Sequence, residues 1–189
     1  MSDVQSLLDR CREGDDLAWE AIVRRFQGRV FAVAMHFMRD REEARDVAQD
    51  IFVRVYQRLD TLREGDTFLP WLLRLSRNAC IDRLRRLKVR TPAIAVPVED
   101  AAPTLAAHDP SPEEASLAGA RRRLLYRALG ELSEKNREII LLKDIQELKL
   151  EEIASMLSLP LGTVKSRTNR ARVELAKVVR QLDPSFGAG

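Results

Sequence analysis

The sequence predicts an all-α protein with two small helical domains, the second containing a helix-turn-helix, joined by a flexible acidic linker. Hydrophobic residues make up 45% of the 189 residues, which is enough for packed cores and excludes a wholly disordered chain. Aromatic residues make up only 5%, and glycine and proline number eight each, which disfavours a β-sandwich. Apolar residues recur at helical spacings of three and four on both sides of one proline-rich stretch.

That stretch, residues 91–116, is the predicted linker. It holds five of the eight prolines and five acidic residues, with no Lys or Arg, and proline ends helices because it lacks a backbone donor. Its 26 residues could span roughly 85 Å at ~3.3 Å each. Residues 1–90 carry 18 basic and 15 acidic groups, and residues 117–189 carry 14 and 9. The whole-chain charge of +3 therefore divides into +3, −5 and +5.

Several classes of protein are excluded by the remaining composition. Cys11 and Cys80 are too few for a disulfide framework, and Cys80 falls on a buried helix face while Cys11 lies near a helix start. Residues 1–16 contain no signal-peptide-like apolar run, and no membrane span is visible. His36 and His108 are isolated. We expect a cytoplasmic, reduced protein without membrane insertion, metal, cofactor or catalytic residues.

The first two predicted helices cover residues 17–38 and about 40–59. Asp15 or Asp16 is the expected N-cap of the first, and Asp40 with Glu43 resembles a capping box for the second. The stripes expected to be buried are Trp19, Ile22, Val23, Phe26, Val30, Val33, Ala34 and Phe37 in the first helix, and Ala44, Val47, Ala48, Ile51, Phe52, Val55 and Leu59 in the second.

A third helix is predicted over residues 68–88, after a loop at 62–68. Residues 74–90 hold seven basic groups and one acidic group. This charge run indicates either a solvated helix face or a surface that follows a nucleic-acid backbone. The face expected to be buried is Leu72, Leu73, Ser76, Ala79, Cys80, Leu84 and Leu87, and the opposite one is Arg74, Asn78, Asp82 and Arg85.

Past the linker, helices are predicted over residues 117–130, 134–146, about 150–157 and 160–180. Ser133 is a possible N-cap of the second. The last two form a helix-turn-helix, in which Ser158 and Leu159 make the turn and Pro160 takes the first helical position. The inward residues of this motif are predicted to be Ile153, Ala154, Leu157, Val164, Ala171, Leu175 and Val178.

The outward side of the last helix has the residues that a major-groove recognition helix needs. Short polar groups and forked arginine donors can bond to base edges, guanine O6 and N7 among them. The alternative is an ordinary helical hairpin with a solvated face. The outward residues are Thr163, Lys165, Ser166, Arg167 and Arg170.

With these residues in view, the chain resembles an extracytoplasmic-function (ECF) RNA polymerase sigma factor of the sigma-70 family. GTVKSR alone is weak, because LuxR-type regulators carry something similar, but four blocks in order are strong. The blocks are GDDLAWEAIVRRFQGRVFAVA (14–34), REEARDVAQDIFVRVYQRL (41–59), FLPWLLRLSRNACIDRLRR (68–86) and the run from LGELSEKNRE to RARVEL (129–175).

The resemblance implies a promoter-specific initiation factor. Such a factor binds core RNA polymerase at its β′ clamp helices and β flap, binds promoter DNA, and is held by an anti-sigma factor. The implied polymerase-binding residues are Asp46, Gln49, Asp50 and Arg54. The implied −10 residues are Arg74, Arg77, Asn78, Arg85 and Arg86, with the loop near Asp60–Thr67. The implied −35 residues are Thr163, Lys165, Ser166, Arg167 and Arg170. For Trp71, stacking on DNA and filling the core both stay open, and the core is favoured.

Two rivals and three departures accompany this interpretation. A helix-turn-helix regulator acting without polymerase would explain GTVKSR alone, and a decoy would occupy the polymerase clamp without directing initiation. Lys149 stands where the family usually has a Ser cap, and Glu147 where Gly is common. Ser133 with Glu134 replaces a frequent Leu-Pro. None of these departures removes a DNA-facing group.

Overall fold

The computed structural model describes residues 2–63, 67–90 and 117–186, and within these ranges it contains helices and no strand. The all-α prediction is confirmed. The chain divides into two compact units, residues 1–95 (the N-terminal unit) and 96–189 (the C-terminal unit). The predicted linker, with His108, lies outside the described residues. The elements are α1 (Ser2–Arg12), α2 (Asp16–Met38), α3 (Arg41–Arg58), a 3₁₀ turn (Leu59–Thr61), α4 (Phe68–Arg90), α5 (Leu117–Glu131), α6 (Glu134–Ile140), a π-turn (Leu141–Ile145), α7 (Leu150–Leu157) and α8 (Leu161–Leu182).

Helix α2 is the centre of the N-terminal unit, because α1, α3 and α4 all pack against it. Asp15 is its N-cap and accepts from two backbone N–H groups of the first turn at 2.9 and 3.1 Å. Asp40 caps α3 by accepting from the Glu43 N–H at 2.8 Å. In a capping box the Glu43 carboxylate would bond back to the Asp40 N–H. Here it accepts instead from Arg83 of α4 at 3.0 Å. That ion pair ties the start of α3 to α4.

The predicted apolar stripes of α2, α3 and α4 form the core of this unit. Their central residues are buried and the residues at the margins of each stripe are half-buried. The buried members are Ile22, Phe26, Val30, Val33, Ala34, Ala44, Val47, Ile51, Phe52, Val55, Leu59, Leu72, Leu73, Ser76, Ala79 and Cys80. The half-buried members are Trp19, Val23, Phe37, Ala48, Leu84 and Leu87.

Helix α1 is an element that the sequence analysis did not predict. It packs against α2 and against the 3₁₀ turn, and it buries Leu8 and Cys11. Cys11 therefore lies at the end of a helix rather than near a helix start, which corrects its predicted position. Burial raises the pKa of the Cys11 thiol, and the nearby Asp15 carboxylate adds to the rise. The thiol is thus a poor nucleophile in this state.

In the C-terminal unit, α8 packs against α5, α6 and α7. The buried Arg137 of α6 donates to three backbone carbonyls at the end of α5, with nitrogen–oxygen distances of 2.7 to 2.9 Å. The last carbonyls of an α-helix have no backbone N–H four residues on, so the guanidinium caps α5 and joins it to α6. Ser133 caps α6, as predicted. The core cluster is Leu129, Leu132, Ile140 and Ala171, with Ile145, Leu175 and Val178 packed against it.

The predicted helix 134–146 is two elements, because α6 gives way to the π-turn after Ile140. Two residues after the π-turn, Glu147 has a left-handed backbone with φ 61°. Glycine adopts this conformation without steric cost, which explains why the resembling family favours Gly here. The missing Ser cap at Lys149 is compensated by Glu152, whose carboxylate accepts from the Lys149 N–H at 2.7 Å.

The helix-turn-helix consists of α7, a turn and α8. Ser158 ends α7 in the left-handed region with φ 54°, which reverses the chain direction. Pro160 has ψ 142°, so it is the N-cap of α8. The prediction that it takes the first helical position is therefore wrong by one residue. Within α7, Met156 is buried and Ala154 and Leu157 are only half-buried, so the inward face is rotated slightly from the predicted one.

Candidate functional site

The exposed side of α3 is the first candidate surface. Asp46, Gln49 and Asp50 are exposed on it, and Arg54 is half-buried. Its partial burial places Arg54 at the margin of this surface. The sequence grouped all four residues, and the structure leaves three of them on the open face and the fourth at its margin.

Two apolar residues share this side of α3, and sequence reasoning missed both. Val53 is 57% exposed and Tyr56 is 49% exposed. The Tyr56 ring packs edge-on against Trp19 of α2, with the ring centroids 5.1 Å apart. Both residues fall outside the buried stripe of α3, so their positions in the sequence could have identified them as exposed. We call the set Asp46, Gln49, Asp50, Val53 and Tyr56 the α3 face.

Helix α4 presents the second candidate surface. Arg74, Asn78, Arg85 and Arg86 are exposed, and Arg77 is half-buried. At about 100° per residue, Arg74, Asn78 and Arg85 form one line down the helix, and Arg77 and Arg86 lie on opposite flanks. Asp82 is within 3.8 Å of Arg85. The line is therefore basic, with one acidic side chain beside it.

The inner side of α4 is closely packed. Ser76 is buried, and its hydroxyl donates to the Leu72 carbonyl one turn back at 2.8 Å. Cys80 is fully buried, and burial raises the pKa of its thiol to about 12, so it behaves as a small core residue. Trp71 is half-buried, with its ring 5.8 Å from that of Phe68, so it lies at the edge of the core.

Helix α8 presents the third candidate surface. Lys165, Ser166 and Arg170 are exposed, and Thr163 and Arg167 are half-buried. The Ser166 hydroxyl donates to the Thr163 carbonyl at 3.1 Å, so its lone pairs rather than its proton face outward. The five predicted residues do not share one narrow line, because about 100° per residue places Lys165 and Arg167 on opposite flanks.

The central exposed line of α8 includes residues that sequence reasoning missed. Asn169, Val173 and Lys177 follow Ser166 along it and border a shallow depression beside Arg170. Val173 is 57% exposed, although an isolated helical hairpin gains nothing from exposing it. After Ser166 they follow one another at intervals of three and four residues, and this spacing could have identified them from the sequence.

The orientation of α8 is held by polar contacts from two other elements. The Arg172 guanidinium forms two hydrogen bonds with the Asp144 carboxylate of the π-turn. Asn136 of α6 donates to Glu174 at 2.6 Å. The hydrogen bond with Asp144 raises the pKa of the Arg172 guanidinium. These bridges join α8 to the π-turn and to α6.

Across residues 2–63, 67–90 and 117–186, no group of three or more His, Cys, Asp or Glu side chains is arranged to hold a metal ion. Over the same ranges, no helix is both long and apolar enough to cross a membrane.

Comparison with known proteins decides the family. The family described as Sigma-70 region 2 matches residues 22–90, and Sigma-70, region 4 matches residues 122–175. The chain is 31% identical to the RNA polymerase sigma-H factor of Pseudomonas aeruginosa over 94% of both chains. It is 30% identical to the ECF RNA polymerase sigma factor SigW of Bacillus subtilis, over 95% of this chain and 98% of SigW. The chain belongs to the ECF sigma factors.

A solved structure shows the same fold. The sigma factor RpoE of Bartonella quintana, determined in complex with the anti-sigma factor NepR, superimposes with a TM-score of 0.69 at 22% identity. The match covers 85% of this chain and 96% of RpoE. The α3 face and α4 fall in the region 2 match, and most of α8 falls in the region 4 match. Helix α1 falls in neither.

Proposed function

We propose that this sigma factor binds core RNA polymerase through the α3 face, opens the −10 promoter element with α4 and reads the −35 element with α8. The polymerase contacts are the β′ clamp helices for the α3 face and the β flap for the C-terminal unit. The domains are residues 1–90 and 117–189, joined by the tether 91–116. The factor acts in the cytoplasm, and the polymerase supplies the chemistry of RNA synthesis.

The observation that carries this proposal is a pair of basic helix faces, one in each unit. Arg74 and Arg85 stand on the exposed side of α4, opposite its buried leucines. Arg170 and Lys177 stand likewise on α8. Lysine and arginine neutralise phosphates and release counterions, and arginine forms paired bonds with guanine. One chain with two such faces suits two promoter elements.

The α3 face suits a protein partner instead. Its two carboxylates would repel a phosphate backbone, so DNA is disfavoured there. Exposed Val53 and Tyr56 among polar side chains have the composition of a protein interface, with an apolar or aromatic centre and a polar rim. Polymerase binding through this face accounts for both features.

An anti-sigma partner is part of the proposal. The related RpoE was solved with one. On α5, Leu125 and Tyr126 are 36% and 41% exposed, which leaves apolar surface that DNA binding does not use. We expect such a partner to exclude core polymerase, so the sigma–partner complex should give no transcript in the assay below until the partner is removed.

Run-off transcription with purified core enzyme tests the proposal, on a promoter mapped after overexpression of the chain. The full chain should give a promoter-specific product that core enzyme alone does not give. The double variant Asp46→Asn, Asp50→Asn should lose core binding and transcription, whereas Glu131→Gln in the C-terminal unit, which also removes a carboxylate, should keep both. Absence of any promoter-specific product would refute the sigma function in favour of a regulator or a clamp decoy.

Binding to −35 duplexes of different sequence separates base reading from phosphate contact on α8. Arg170→Ala should lower −35 affinity by about 1–3 kcal/mol and relax the preference at one base pair. Lys177→Ala removes the same charge two turns further along the helix and should weaken binding evenly across sequences. Equal, sequence-independent losses for both variants would show that α8 contacts only the backbone of the DNA.

A further inference from the structure

Helix α4 is packed unevenly along its length. Its first part buries large side chains such as Leu72, and Cys80 is the last fully buried side chain in the part of α4 whose burial the structure describes. Residues 81–87, the C-terminal part of α4, are half-buried or exposed. They include Arg85 and Arg86, which are proposed to contact the −10 element. Core packing therefore holds this part less firmly than the first part, because its strength grows with buried apolar area.

An arginine occupies the inner side of this C-terminal part. At roughly 100° per residue, Arg83 lies about 160° around the helix from Arg85 and so on the side opposite the exposed basic line. It is in line instead with Leu72 and Ser76, both of which are fully buried. Its side chain is 33% exposed. Arg83 belongs to the basic run of the sequence, but the structure separates it from the residues that are proposed to contact DNA.

The partner of Arg83 is Glu43, in the first turn of α3. The Arg83 Nη2 and Nε both donate to the Glu43 Oε2, at 3.0 and 3.3 Å, across 40 positions of sequence. Two donors on one oxygen select one orientation of the guanidinium. The two side chains are 33% and 40% exposed, and salt screens a partly buried pair less than an exposed one. Because Asp40 caps the same turn by accepting from the Glu43 N–H, the pair joins a fixed helix start to the C-terminal part of α4.

We propose that Arg83 is a positioning residue for promoter opening, which acts through Glu43. The pair holds the C-terminal part of α4 against the start of α3, so that Arg85 and Arg86 meet the DNA in one orientation. Since α3 also carries the proposed polymerase-binding face, the pair joins the polymerase-bound helix to the DNA-bound helix. A fixed orientation lowers the ordering cost of binding. This inference rests on the proposed roles of α3 and α4, and Arg83 itself contacts no DNA in it.

The test measures how fast reconstituted holoenzyme opens the mapped promoter, with permanganate reactivity as the readout. Arg83→Met removes the charge and keeps an apolar stem, and Glu43→Ala removes the carboxylate. Glu42→Ala is the matched control, because Glu42 is an exposed carboxylate in the same first turn of α3. Both glutamate variants therefore lose the same favourable interaction with the helix N-terminus. Core-polymerase affinity and thermal unfolding are measured for each protein.

Arg83→Met and Glu43→Ala should each slow promoter opening about 3–5-fold, the strength of one partly exposed ion pair, and leave core affinity unchanged. The double variant should be no slower than either single variant, because either change alone already breaks the pair. Exchanging the two residues, Arg83→Glu with Glu43→Arg, should restore part of the rate, and Glu42→Ala should match wild type. Glu43→Ala and the exchange carry the test should Arg83→Met fold poorly.

Arg85→Ala tests whether the pair acts through the DNA-facing residues of α4. It should slow opening in the wild-type chain, and slow it less in the Arg83→Met chain, where Arg85 is already misplaced. Purely additive losses, or losses that follow only the unfolding temperature, would show that Arg83 is merely structural and overturn the inference.

The glutamate variant separates positioning from a direct phosphate contact by Arg83. If Arg83→Met is slow while Glu43→Ala opens the promoter as fast as wild type or faster, Arg83 contacts the DNA itself and the inference is wrong. Unchanged opening by both variants would overturn it as well. If Arg85→Ala opens the promoter at the wild-type rate, the proposed role of α4 fails and the inference falls with it. A slow Arg85→Ala beside unaffected pair variants instead leaves the proposed function intact and removes only the role of Arg83.

Discussion

The two basic helices, α4 and α8, have similar lengths but are held in place by different kinds of contact. Helix α4 buries large apolar side chains, including Leu72 and Leu73, both fully excluded from solvent. Helix α8 buries smaller ones, Val164, Thr168 and Ala171, and the Thr168 hydroxyl bonds back to its own helix at 2.8 Å. More buried apolar area means a larger contribution to stability. Packing alone is therefore sufficient to place α4 more firmly than α8.

Polar bridges also differ between the two helices, and α4 has the ion pair of Arg83 with Glu43. Helix α8 is tied to other elements by two of them, Arg172 to Asp144 and Asn136 to Glu174. Exposed ion pairs add little stability but select one geometry. We infer that the core sets the position of α4, and that polar partners tune the rotation of α8. Core substitutions should therefore unfold the N-terminal unit, and bridge substitutions should change DNA binding by the C-terminal unit.

The largest expected effect is that of Leu73→Ala in α4. Losing a fully buried leucine should lower the free energy of unfolding of the N-terminal unit by about 2–5 kcal/mol. Both tryptophans, Trp19 and Trp71, lie in that unit, so tryptophan fluorescence during urea unfolding reports on it selectively. Val164→Ala in α8 is the comparison and should cost roughly 1–3 kcal/mol, because fewer methyl groups are lost.

Val164→Ala should also leave the fluorescence transition where it is and shift only the circular-dichroism signal, which reports on both units. A leucine variant that costs no more than the valine variant would contradict the idea that packing alone fixes α4.

The part of this fold that sequence predicted is the part that helical periodicity controls. The buried faces of α2, α3 and α4 follow from apolar spacing, and the caps at Asp15 and Asp40 follow from residues that bond to exposed N–H groups. The same spacing was present in α1 at Leu8 and Cys11, but its short length and polar surroundings hid it. A helix so short depends on tertiary contacts that the sequence does not display.

The parts that sequence could not predict depend on contacts distant along the chain. The residues of the π-turn would suit an α-helix equally well, so the sequence gives no local sign of the change in hydrogen bonding after Ile140. The bond from Arg12 to Leu62 joins residues 50 positions apart. Among the candidate site residues, all lie in helices as predicted, but the half-burial of Thr163 and Arg167 emerges only with the packing of α8.

A smaller effect is expected from the bridge between Arg172 and Asp144. Asp144→Asn should weaken binding to a −35 duplex by about 0.5–1 kcal/mol. Without its charged partner, Arg172 no longer helps to hold α8 in one rotation. Circular dichroism should be unchanged. A double-mutant cycle with Arg172→Gln, read out as DNA affinity, measures how strongly the two side chains are coupled.

The cycle also distinguishes this role from a direct phosphate contact by Arg172. A direct contact would make Arg172→Gln costly and Asp144→Asn neutral or favourable. That result would show that α8 is placed by packing, as α4 is.

An effect of similar size is expected at two turns with the same backbone requirement. Each unit has a left-handed residue in a turn between helices, Gly14 at φ 85° in the N-terminal unit and Glu147 at φ 61° in the C-terminal unit. A side chain in this region is strained, and glycine is not. Glu147→Gly should therefore raise the stability of the C-terminal unit by about 0.5–1 kcal/mol, the relief of strain being partly offset by a more flexible unfolded chain.

Gly14→Ala is the matched reverse change. A Cβ at Gly14 would meet no atom within 4 Å, so any cost comes from the backbone conformation and not from a clash. It should lower the stability of the N-terminal unit by roughly 1 kcal/mol, seen in tryptophan fluorescence, while Glu147→Gly shifts only the circular-dichroism transition. If Glu147→Gly destabilises instead, the glutamate side chain makes a compensating contact in its turn, and the two units differ in more than the choice of residue.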